Sequence, residues 1–145
     1  MEMRELHVEQ AEEIQEAIEK IFSPAPWNDV WTKEQLQEYV LELLENRNPL
    51  SLGLYEGNCL IGISLGRIKH WCMGTEYWIE EFGILPQWQG KGKGGEFLRK
   101  IQGHLAERGI HQMVLLTERG VPAYGFYQKN GFQEVEGQVL FAWEG

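Results

Sequence analysis

The sequence predicts an α+β fold, a mixed central sheet flanked by helices, and three observations lead there. Two amphipathic helical stretches come first. Three long runs of period two follow, separated by turns too short to hold a crossover helix, so they pair as a meander. A strand, a glycine-rich loop and a helix then share one stretch near residue 90, and strand and helix signals alternate once more after it.

Taken in order, residues 3–6 suit a short first strand. Residues 9–22 read as a helix, because Ala11, Ile14, Ile18, Ile21 and Phe22 fall on one face. Ser23-Pro24-Ala25-Pro26-Trp27 ends it. Thr32 with Gln35 three residues on forms a capping box, and Leu36, Tyr39, Val40, Leu43 and Leu44 give the second helix its stripe. Strands are expected at 50–55 and 59–70, joined by Glu56-Gly57-Asn58, and again at 76–85. A helix over 92–108 turns Phe97, Leu98, Ile101 and Leu105 inward and stops at Gly109. Residues 110–117 make a strand, 122–129 a short helix closed by Asn130-Gly131, and 132–143 a last strand or two. The chain shows no repeat, low-complexity tract or linker, so one domain over 1–145 is expected.

Hydrophobic residues at 43% and charged residues at 24% are ordinary globular values and do not indicate disorder. The 13 basic and 22 acidic residues give a formal net charge of −9, which disfavours nucleic acid and favours a cationic substrate. Cys59 and Cys72 have neither metal nor disulfide-scaffold spacing. His7, His70, His104 and His111 are scattered, so no metal is expected. With no signal peptide or membrane-spanning run visible, the expectation is a cytoplasmic chain that neither enters a membrane nor binds one.

The most informative stretch is Leu85-Pro86-Gln87-Trp88-Gln89-Gly90-Lys91-Gly92-Lys93-Gly94-Gly95. Its glycines let the backbone turn and approach a ligand, and the first amides of the next helix point there with the positive end of its dipole. Lys91 and Lys93 add charge of the same sign, so the loop suits a phosphate or pyrophosphate. No Gly-Lys is followed by Ser or Thr, which removes the Walker pattern. Gly90-x-Gly92-x-x-Gly95 does match the dinucleotide fingerprint, with Glu118 near the ribose-acid position, but 145 residues leave no room for the βαβ array it opens.

Pro86-x-x-Gln89-x-x-Gly92-x-Gly94 resembles the acyl-CoA loop of the GNAT N-acetyltransferase superfamily, and Ala123-Tyr124-Gly125-Phe126-Tyr127-Gln128-Lys129-Asn130-Gly131-Phe132 resembles the same superfamily's A-x-x-F-Y-x-K-x-G-F segment. The order of elements is similar across essentially the whole chain. Gly120 departs from the pattern, since many members of that superfamily carry an Asn there. The resemblance implies a GNAT fold and acetyl-CoA as cosubstrate. On that footing the backbone of Phe82, Gly83 and Ile84 would hold the pantetheine, and the amides of Gln89, Gly90, Lys91, Gly92, Lys93, Gly94 and Gly95 the pyrophosphate. It also implies that Tyr127 donates a proton to the departing thiolate.

An amine acceptor must be deprotonated, which costs roughly 4.6 kcal/mol at pH 7 for a free alkyl amine. Glu76, Glu80 and Glu81 precede the loop as candidate bases. By strand alternation Glu76, Trp78 and Glu80 share one face and Glu81 takes the other. Ile79-Glu80-Glu81-Phe82 also looks like the Leu-Glu-Asp-Phe run of spermidine/spermine N-acetyltransferases, where the first acid is the base. Glu80 is thus the expected base with Glu76 behind it, and Glu81 an acceptor contact. The resemblance also implies that Trp27 and Trp31 stand in the acceptor wall, with Trp71 and Trp78 lining the same cleft from the sheet side as acceptor contacts and Trp88 simply exposed. The expected function is acetyl transfer to a primary amine of a small cationic acceptor, polyamine- or aminoglycoside-like. Acetylation of a protein N-terminus or lysine, and acyl-CoA sensing without turnover, stay open. The apolar Val139, Leu140, Phe141 and Trp143 suit either a homodimer contact or a monomer's core.

Overall fold

A computed structural model describes residues 1–145. Strand β1 (Glu2–Glu5) leads through a single turn of 3-10 helix into α1 (Ala11–Phe22). Helix α2 (Lys33–Leu44) starts where the capping box places it, with Thr32 Oγ1 accepting from the Gln35 amide at 3.1 Å and Gln35 Oε1 accepting from the Thr32 amide at 3.0 Å. Strands β2 (Pro49–Glu56), β3 (Cys59–Trp71) and β4 (Gly74–Ile84) form the antiparallel meander, to which β1 adds an edge. Helix α3 (Lys93–Glu107) crosses to β5 (Gln112–Leu115), which pairs parallel with β4, and α4 (Pro122–Lys129) follows.

The five strands run in the order β1-β2-β3-β4-β5, and the stripes read from the sequence fill one core. Ile14, Ile18, Leu36 and Val40 of the first two helices are buried with Leu52, Ile63 and Leu65 of the meander, and Phe97, Leu98 and Ile101 of α3 are equally buried. Within that core the Tyr77 hydroxyl has the carbonyls of Leu50 (3.0 Å) and Ser64 (3.2 Å) and the Ser64 hydroxyl (2.8 Å) within hydrogen-bond distance, which offsets the cost of burying it. No helix is long and apolar enough to cross a membrane.

Two expectations fail here. The first is strand alternation through β4. Leu65 pairs with Glu81 while Gly66 pairs with Ile79, so Glu80 is the extra residue of a β-bulge. Gly66 permits it: a Cβ there would lie 2.0 Å from the Trp78 carbonyl oxygen. The extra residue breaks the period of two, so Glu80 no longer shares a face with Glu76 and Trp78 through simple alternation. The second is the final strand. Residues 133–145 join no sheet, and Val139, Phe141 and Trp143 are 74%, 89% and 90% exposed. Glu134 is tied beside α4 by Arg119 and Tyr124, and a turn from Val135 to Gln138 follows, so the chain is led away from β5, which remains the sheet's edge.

Candidate active site

Pairing between β4 and β5 covers only Glu76–Ile79 against Gln112–Leu115. Beyond Ile79 the two parallel strands part, and the edge of β4 from Glu80 to Ile84 that faces away from β3 has no strand partner. A cleft of about 350 Å³ opens there, lined by Phe22, Trp27 and Asp29 from the end of α1 and the loop after it, Ile79, Glu80, Glu81 and Phe82 from β4, Leu115 at the end of β5 with Leu116, Thr117 and Glu118 after it, Ala123 and Tyr127 from α4, and Leu140. The lining carries four acids, Asp29, Glu80, Glu81 and Glu118, and no base.

The glycine loop lies at the end of β4. Gly90 and Gly92 have φ of 73° and 76°, in the left-handed region, and Gly92 is the N-cap of α3. After Gln89, the next amide to find a backbone acceptor is that of Glu96, which donates to the Gly92 carbonyl. The amides of residues 90–95 donate to no backbone or side-chain group, leaving six consecutive donors at the positive end of a helix. Gly94 brings α3 close to α4, for a Cβ there would lie 2.8 Å from the Phe126 ring. Lys91 lies over the Trp88 ring at 5.4 Å, which makes Trp88 a partly buried support for the loop rather than a freely exposed side chain.

Gln89 differs from expectation. Its backbone amide donates to the Pro86 carbonyl at 3.2 Å, and its side-chain amide donates to the Ile84 carbonyl at 2.9 Å. It ties the loop to the strand and is not one of the free donors.

Glu81 carries the most perturbed carboxyl. Its Oε1 accepts from the Tyr39 hydroxyl of α2 at 2.9 Å. Burial raises its pKa from the ordinary 4.5 to about 7; the Tyr39 hydrogen bond opposes the rise, while Asp29 and Glu80 add to it. Tyr39 is itself pushed up by burial and then by the Glu81 charge, and its ring stacks on Trp31 at 5.2 Å. Tyr127 sits across the cleft among Phe82, Phe126 and Phe132, with centroids 5.3–6.2 Å from its own. Burial, followed by the Glu81 charge, raises its pKa, so its hydroxyl remains protonated through the physiological range and is a weaker acid than a free phenol.

The structure therefore brings together Trp27, Glu80, Glu81, Phe82 and Tyr127, and leaves other expected residues outside the cleft. Glu76 accepts from the Trp78 indole at 3.0 Å and borders a separate groove. Trp78 carries Arg67 and Lys69 against its ring at 5.8 and 5.1 Å. Trp31 stands behind Tyr39, and Trp71 is half exposed at the β3–β4 turn. The separate groove, about 650 Å³ between α3, β5 and residues 130–133, is larger than the cleft but lies along the outer edge of β5, and no residue of the glycine loop lines it. Asp29 also lines the cleft, and no motif in the sequence marks it. Its amide donates to the Phe22 carbonyl at 2.9 Å, which folds the Pro-rich loop back over the end of α1.

A family model described as acetyltransferase (GNAT) family matches residues 9–132. Among solved structures, the ribosomal-protein-alanine N-acetyltransferase from Brucella melitensis biovar Abortus 2308 superposes with a TM-score of 0.78 at 18% identity, covering 99% of this chain and 100% of that one. The aminoglycoside antibiotic 6'-N-acetyltransferase from Acinetobacter haemolyticus gives 0.76 at 16% identity, with 99% of both chains covered. An aminoglycoside N-acetyltransferase crystallised with CoA gives 0.74 at 17% identity, covering 99% of this chain and 93% of that one. At these identities the likeness is one of fold. No curated protein sequence matches the chain.

Proposed function

The chain belongs to the GNAT acetyltransferase family and is an acetyltransferase; from that premise we propose that it moves the acetyl group of acetyl-CoA to a primary amine of a small cationic acceptor. The observation that carries the acceptor class is the lining of the cleft, four acids and no base, in a chain already at −9. Such walls raise the local concentration of a cation and repel an anion. Trp27, set edge-on to Phe22 at 5.9 Å, adds an aromatic face for the acceptor's alkyl or ring portion.

The fit to acetyl-CoA rests on two features of the backbone. The six unpartnered amides of residues 90–95 suit a pyrophosphate, with Lys91 and Lys93 beside them. The edge of β4 at Phe82, Gly83 and Ile84, which no strand covers although the Ile84 carbonyl already accepts from Gln89, suits the amides of a pantetheine arm, which would add to the sheet as a strand does. Acetyl-CoA supplies an activated acyl group, and the residues around the cleft supply proton transfer.

The base is Glu81 rather than Glu80 or Glu76. An acceptor amine near pKa 10.4 needs a partner to take its proton, and a carboxyl near 7 is matched to that task at neutral pH, whereas an ordinary carboxylate is too weak a base. Glu80, at the bulge, is exposed and acts as an acceptor contact and as a second negative charge facing Glu81. Tyr127 donates to the leaving sulfur. Its raised pKa makes that transfer more uphill than a free phenol's would be, so the donation accompanies C–S cleavage rather than preceding it.

The test is thiol release from acetyl-CoA against diamines, polyamines, aminoglycosides, neutral monoamines and peptides with a free N-terminus. A kcat/KM for multiply charged amines at least tenfold above that for neutral monoamines supports the reading. A preference for peptides would overturn the acceptor class, and CoA binding without release on any amine would leave acyl-CoA sensing instead.

A further inference from the structure

Tyr39 stands on the rim of the core face of α2, beside the fully buried Leu36 and Val40. The capping box at Thr32 fixes where α2 begins, and Tyr39 falls two turns later against β4. Packing alone would be served by a phenylalanine. The hydroxyl instead donates to Glu81 Oε1 at 2.9 Å, while the Trp31 indole, nearly parallel at 18°, covers the ring. One carboxylate oxygen is thereby occupied and the other is left for a proton.

We propose that Tyr39 is a positioning residue for acetyl transfer, its hydroxyl holding the Glu81 carboxylate in one orientation with the second oxygen free. The proposal rests on Glu81 being the base. The groups that face Glu81 are Asp29 from the loop after α1, Glu80 from β4, Tyr127 from α4 and Tyr39 from α2, with Glu42 of α2 facing Tyr39 in turn. Burial, Asp29 and Glu80 all favour the protonated carboxyl, and Tyr39 is the one group that favours the carboxylate. Without its hydroxyl the base would be occupied by a proton over more of the neutral range.

Tyr39→Phe keeps the stacked ring and removes the bond. Because the acceptor's own ionisation is common to both proteins, the ratio of their kcat/KM values against pH isolates the enzyme. The ratio is expected to fall roughly tenfold at pH 6.5 and to return to within about twofold of unity at pH 9, with acetyl-CoA affinity and Tm little changed. A ratio that is flat with pH, whether near one or uniformly low, would overturn the proposal. Glu81→Gln measured beside it separates the two claims. If Glu81→Gln retains the wild-type rate and profile, the assignment of the base fails. If Glu81→Gln is slow while the Tyr39→Phe ratio is flat, only the positioning role fails.

Discussion

Replacing Glu81 by Gln should make the protein more stable while making it a poorer catalyst, and the size of the gain follows from burial. In the folded chain the carboxyl has been pushed from 4.5 to about 7, chiefly by burial. A group whose folded pKa is raised contributes most below its unfolded value, and that contribution is lost as pH climbs through the folded value. The rise converts to about 3 kcal/mol at ~1.4 kcal/mol per tenfold, nearly all lost by pH 8 and under about 1 kcal/mol lost at pH 5. Gln is isosteric, carries no charge and still offers Tyr39 an oxygen. The variant should therefore gain up to about 3 kcal/mol over wild type at pH 8, a Tm rise of roughly 6–12 °C for a chain of this size, and far less at pH 5. Urea unfolding at the two pH values reads the difference, and turnover at pH 7.5 should fall about 10²-fold or more. A variant no more stable than wild type at pH 8, or equally stabilised at both pH values, would refute the burial argument.

Three further substitutions probe other parts of the account. Tyr127→Phe should hold acetyl-CoA affinity within about twofold while kcat falls about 10²-fold, read by calorimetry and thiol release; full activity would remove the hydroxyl from the reaction. Gly94→Ala places a Cβ 2.8 Å from the Phe126 ring, so α3 and α4 must part at about 1–3 kcal/mol, and the KM for acetyl-CoA should rise as the loop shifts. Gly66→Ala would put a Cβ 2.0 Å from the Trp78 carbonyl oxygen, too close to relieve by a rotamer change, and a loss of more than roughly 3 kcal/mol is expected in urea unfolding.

Much of this was legible because it is local. The Thr32–Gln35 box, the stripe of α3 and the glycines after Pro86 each declare their conformation within a few residues, and all three hold in the fold. Alternation cannot show the bulge at Glu80, because its signal lies on the opposite strand, at Gly66 of β3. Beyond the bulge, Glu81 meets the Tyr39 hydroxyl, a contact that simple alternation does not reveal. In the sequence Tyr39 is one member of an apolar stripe, for a hydrogen bond across 42 residues leaves no local trace. The last strand failed for a similar reason. Val139, Phe141 and Trp143 have strand spacing, but whether they join a sheet depends on where Arg119 and Tyr124 hold Glu134.

The central claim is that acetyl-CoA lies along the open edge of β4 with its pyrophosphate on the amides of the glycine loop. A titration with CoA followed by backbone amide 15N shifts reads those positions individually. The account predicts the largest shifts at residues 82–84 and 90–95, with little change at Gln102, Met113 and Phe132 around the larger groove. Shifts concentrated at that groove, or a saturable titration leaving residues 90–95 unmoved, would contradict it.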